Sequence, residues 1–207
     1  MTRANLQLTD YDPEGLPRVE DLTLISAPLS ALLTMELDGA AAVLELTADD
    51  ILLAALGRAI ERTIGSGVVS VDVPCHGAGA RPVELCCAAP AQLDADEMLA
   101  GVHHQLGAVA VTRVVRGVPD PSRAELPSAV LFATGDAAAA RPHTGHVLEL
   151  RASRQGEVIA LDWWFDARSF EAYTVAELAD QFPLAMIELT SEATPPVHAN
   201  HELALAH

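Results

Sequence analysis

The side chains of this chain whose types and spacing could do chemistry near neutral pH are its histidines and cysteines. Cys75 and His76 adjoin at the end of an alternating run, and Gly77, Ala78, Gly79 and Ala80 follow. A histidine among such small residues can approach a ligand closely and act as a general base. His76 is therefore the candidate catalytic residue. Asp72 lies four residues earlier on the same run, too far along it to orient the His76 ring unless the loop folds back. Cys75 is next to His76, but sequence neighbours in a strand point to opposite faces. Cys86 and Cys87 sit in an apolar stretch with no cation to lower a thiol pKa, so they read as inert core thiols.

The remaining candidates are weaker. His143-x-x-His146 and His198-x-x-His201 have metal spacing, yet neither brings a third ligand at a sensible distance. His103-His104 falls on a helical stretch as a solvent-edge pair, and Asp162 beside Trp163 and Trp164 reads as an alternating strand with one tryptophan buried. No glycine-rich phosphate loop, G-x-S-x-G elbow or H-E-x-x-H pair occurs. No metal and no cofactor is expected.

Composition narrows the function classes. The 207 residues carry a formal charge of −17 without a single lysine, which sets the chain against phosphate backbones and anionic lipid, so no nucleic acid and no membrane is expected as a partner. Half the residues are hydrophobic and only 4% aromatic, so the core must be built mainly of Ala, Val and Leu. No apolar run reaches the roughly 18–20 residues that span a bilayer. The start, MTRANLQLTDYDPEG, has no apolar signal-peptide core. Three cysteines make no even framework. A cytoplasmic protein is the expectation.

The elements that must position these residues follow from periodicity. Residues 1–21, rich in Asp, Glu, Pro and Gly, predict an extended lead-in, and 193–207 a flexible tail around a domain spanning 22–192. LTLIS begins as a strand, and after Pro28 the leucine spacing becomes helical. Thr47 and Asp50 form a capping box for a helix carrying Leu52, Leu56 and Ile60 on one stripe, with Arg58, Glu61 and Arg62 on its wet side and Gly65 as its stop. VVSVDV and VELCCAA read as strands, then Asp94 and Glu97 open a second capped helix with Met98, Val102 and Leu106 on its stripe. AVLFA is a buried strand, and HVLELRAS and EVIALDWWF form a hairpin across Arg154-Gln155-Gly156. Thr174 and Glu177 read as a capping box for a last helix that Pro183 should kink or restart. Together these predict an α/β two-layer sandwich.

This order resembles the C-terminal lobe of the condensation and epimerization domains of nonribosomal peptide synthetases. The helix of Asp50-Ile51-Leu52-Leu53-Ala54-Ala55-Leu56, the loop Cys75-His76-Gly77, the strand PSAVLFATGD and the closing block GEVIALDWWFDARSFEAYTVAELADQF match that family's order and spacing. The resemblance implies half of a chloramphenicol acetyltransferase-like pseudo-dimer. The family's catalytic His-His-x-x-x-Asp-Gly, which belongs to the other lobe, is absent. The histidine loop also lacks the Arg-Glu that follows it in the family, and Ala133-Thr134 stands in place of Asn-Tyr. The resemblance thus implies a stand-alone lobe in nonribosomal peptide or lipopeptide biosynthesis, non-catalytic alone. Its expected partners are a second copy, a separate condensation-type lobe or a carrier protein. An acyltransferase using His76 and an inactive synthetase remnant are the alternatives.

Overall fold

The computed structural model describes residues 5–75, 79–115, 129–139 and 145–196, with 109–115 by backbone alone. Alternating apolar residues form six strands: β1 Leu22–Ser26, β2 Gly67–Cys75, β3 Gly79–Cys87, β4 Val130–Thr134, β5 Leu148–Gln155 and β6 Val158–Asp166. The helices are α1 Ala31–Leu44, α2 Ala48–Thr63, α3 Ala95–Val115 and α4 Ala172–Glu192. The strands make one mixed sheet in the order β1-β6-β5-β4-β2-β3. β4 runs parallel to both β2 and β5, and the remaining neighbours are antiparallel. Gly156, with φ of 64°, supplies the left-handed turn between β5 and β6.

Side chains of one strand parity, including Val69, Val71, Val130, Phe132, Leu148, Leu150, Leu161 and Trp163, share the core with residues of all four helices. Trp163 meets the edge of Phe182 from α4 at a ring distance of 5.5 Å. The result is the expected two-layer α/β sandwich, helices on one face of the sheet. The lead-in crosses its margin: Leu6 N–H bonds the Val68 carbonyl at 3.0 Å, and Asp10 N–H bonds that of Ser169 at 2.9 Å.

The α2 capping box forms as its spacing predicts, with Asp50 N–H on Thr47 Oγ1 at 3.2 Å and Thr47 N–H on Asp50 Oδ2 at 2.8 Å. Of the helix's expected wet side, Arg62 is exposed and Glu61 half-buried, but Arg58 is neither. α2 packs against α1, α3, α4 and β3, so every residue from Asp50 to Ile60 is buried, Arg58 completely. The Arg58 guanidinium donates to the carbonyls of Ala88 and Leu93 and forms an ion pair with Glu188 of α4.

The start of α4 also differs from expectation. The N-cap is Glu171, whose N–H is held by Asp10 of the lead-in at 2.8 Å, and Thr174 is buried inside the first turn. A tertiary carboxylate has taken over what a local capping box would do. Pro183 does not divide the helix, which continues to Glu192.

Candidate functional site

His76 lies outside the described residues, as do His143, His198 and His201. The cluster the structure does assemble centres on a different histidine. Asp72 alternates with Val71 and Val73 and so points to the sheet face without helices, and Glu149 and Arg151 do the same on β5. His146, just before β5, places Nε2 3.0 Å from Asp72 Oδ2 and Nδ1 3.7 Å from Glu149 Oε1. Arg151 donates Nε and Nη2 to Glu149 Oε2 at 2.9 and 2.7 Å, and Nη1 to the carbonyls of Ala137 and Ala138 at 3.3 Å each. All four side chains are buried.

A sheet face without helices would ordinarily leave such residues wet. Here they pack against one another and against the described residues that follow β4, where Arg151 holds the carbonyls of Ala137 and Ala138.

The electrostatics follow from the charge count. Among the described residues the two carboxylates exceed the single guanidinium by one negative charge, which an imidazolium cancels. Burial works against charging His146, but the carboxylates of Glu149 and Asp72 outweigh it and raise the pKa above the ordinary histidine value. Nε2 bonds Asp72 while Nδ1 faces Glu149 at the longer distance, so the ring ties the residues before β5 to β2.

The other singled-out residues are placed as follows. Cys87 is buried and its thiol is pushed up to about 12, chiefly by burial, so it is inert at neutral pH. Cys86 is half-buried and lines a groove of about 1210 Å³ between β3 and α3. His103 leans back to Asp50 at 2.9 Å, tying α3 to the α2 cap, while His104 is exposed. Of the tryptophan pair, Trp163 is fully buried and Trp164 half-buried on the helix-free face. Thr134 donates Oγ1 to Asp49 Oδ2 at 2.8 Å, and burial nevertheless raises the Asp49 pKa. No group of three metal-ligating side chains occurs among the described residues. No helix among them is long and apolar enough to cross a membrane.

The fold can now be set beside known structures. The epimerization domain from the third module of tyrocidine synthetase B superposes with a TM-score of 0.70 at 17% identity, covering 92% of this chain and 52% of that one. The condensation domain of the Monacolin K polyketide synthase gives 0.63 at 12% identity, with the same two coverages. The chain has the fold of one lobe of a condensation or epimerization domain. The X-domain complex from teicoplanin biosynthesis agrees, at a TM-score of 0.63 over 93% of this chain and 50% of that one.

The lobe also has curated relatives. It is 34% identical, over an alignment of 249 residues, to one component of the phenolphthiocerol/phthiocerol polyketide synthase of Mycobacterium tuberculosis and of Mycobacterium bovis. That alignment takes in 97% of this chain, which spans about 17% of the length of those relatives. No family model matches the chain. Sequence reasoning missed His146 as the partner of Asp72, because only the tertiary fold brings together residues 74 positions apart. The signal that could have found it was the placement of Glu149 and Arg151 at the polar positions of an otherwise apolar strand.

Proposed function

We propose that this lobe serves a modular synthase making a polyketide or peptide product, as the non-catalytic half of a condensation-type domain. The observation that carries this is one of size: about nine-tenths of the chain covers about half of an epimerization domain. The similarity to a polyketide synthase component supports a setting in assembly-line biosynthesis. In this reading the catalytic His-His-x-x-x-Asp-Gly lobe comes from a separate condensation-type chain or segment, and the shared cleft acts on acyl or aminoacyl groups delivered by a carrier protein. A second copy of the lobe is the other partner this reading admits.

The test uses the full chain with acyl- and aminoacyl-N-acetylcysteamine thioesters and an amine acceptor. No turnover is expected from the chain alone, and amide formation or epimerization is expected when a complementary lobe bearing the catalytic motif is added. Turnover by the chain alone that disappears in His76→Ala would replace this reading with an independent acyltransferase. Light scattering on a sizing column separates pairing with that lobe from self-pairing.

A further inference from the structure

The two edges of the sheet are treated differently. On β3, Pro82 lacks an outward N–H, and Gln105 of α3 closes the next outward position: Oε1 accepts the Glu84 N–H and Nε2 donates to the Glu84 carbonyl, each at 2.9 Å. Proline and a covering helix are standard protections against strand addition.

β1, at the other edge, has neither. Its ladder with β6 is bracketed by Ala167 N–H on the Asp21 carbonyl and Ala27 N–H on the Leu161 carbonyl, both at 2.9 Å. In that register Thr23 and Ile25 face β6, so the backbone groups of Leu22, Leu24 and Ser26 face outward. The Leu22 N–H turns back onto the Val19 carbonyl. Among the described residues the N–H and C=O of Leu24 and Ser26 have no protein partner. The strand reads Leu-Thr-Leu-Ile-Ser, with no charge and no proline, and the Leu24 side chain is 40% exposed. The helix that follows, α1, is apolar on nearly every side yet leaves Leu32, Met35 and Val43 exposed.

Charge selects the occupant. The chain carries −17 and no lysine. Beside the open strand Glu20 pairs with Arg18, and Asp21 and Asp166 share Arg168. With Asp162 the carboxylates still outnumber the guanidinium groups, so a second copy would bring like charge to the same place. We propose that the outer edge of β1 is a docking edge that takes an extended, lysine- or arginine-bearing segment of a partner protein as a seventh strand. Its backbone would pair with Leu24 and Ser26, and its side chains would lie alternately beside Leu24 and beside Ile25. This inference does not depend on the reaction the partner performs.

Amide hydrogen exchange by NMR on the full chain tests it, with the synthetic peptide Lys-Thr-Val-Thr-Val-Thr-Lys and its glutamate-flanked counterpart as probes. The lysine peptide should slow exchange at Leu24 and Ser26 by at least about ten-fold, and the glutamate peptide far less. Leu24→Pro removes an outward N–H that the β1–β6 ladder does not use, and should abolish the slowing at Ser26. Leu24→Lys, at an exposed side chain, should narrow the preference for the lysine peptide whether or not the proline variant folds, and an unchanged preference would overturn the proposal. Absence of slowing, equal slowing by both peptides, or slowing confined to β3 would overturn the proposal. So would concentration-dependent self-protection of Leu24 and Ser26 with a dimeric mass, which would make a second copy the occupant.

Discussion

His146 and Arg58 are both buried beside carboxylates, held in different ways, and each gives a sharp prediction. The His146 pKa is raised in the folded chain, so its contribution to stability is full below the unfolded value of about 6.5 and is lost as pH rises through the folded pKa. Melting curves of wild type and His146→Gln should therefore differ most in mildly acidic buffer and converge toward alkaline pH. A difference independent of pH would mean that the ring is packed there as a neutral group. Arg58 is fully buried between two carbonyls and Glu188. Arg58→Ala should cost about 3–5 kcal/mol, because it leaves the carbonyls of Ala88 and Leu93 without their donor and Glu188 with Arg62 alone, whereas Arg58→Met combined with Glu188→Leu should cost less. Denaturant titration of the two variants distinguishes an ion pair that stabilises from one that is merely expensive to break.

At the scale of elements, α2 shows how tightly the layers meet. A Cβ built on Gly57 would lie 2.8 Å from Met98 Cε and 2.9 Å from the Cys86 carbonyl oxygen. Met98 can swing aside, but the β3 backbone cannot. Gly57→Ala gains about 1 kcal/mol of helix propensity, yet should destabilise the chain by about 1–3 kcal/mol through overpacking. A rise in Tm for this variant would show that α2 can shift away from β3. On the face away from these helices, Arg151 pairs with Glu149 and holds the carbonyls of Ala137 and Ala138. The helix starts divide along similar lines. The Thr47-Asp50 box is local and legible from spacing, but the α4 cap comes from Asp10, near the other end of the chain, and no local pattern announces it.

The whole molecule is dominated by its charge. At −17 the folded chain repels itself, and salt screens that repulsion. The Tm should therefore rise when ionic strength is increased from about 0.01 to 0.15 M, against the loss expected if surface ion pairs prevailed. Exposed pairs such as Arg154 with Asp38 are too few and too wet to reverse that sign. The same charge argues at the β1 edge for a basic partner and against a second copy.

Spacing and composition were enough for the strands, the helices and their order, because apolar periodicity and capping chemistry are local and survive without knowledge of neighbours. The half-sized condensation-type lobe came from the resemblance of that order to a known family. The electrostatic character was equally plain from the residue counts. Folding decided the rest. Arg58 is core rather than surface, since α1, α3, α4 and β3 together cover α2 from Asp50 to Ile60. Asp72 serves His146, and one sheet edge is closed while the other is open. Those outcomes depend on which distant segments arrive beside a residue, and that is set by strand order rather than by spacing along the chain.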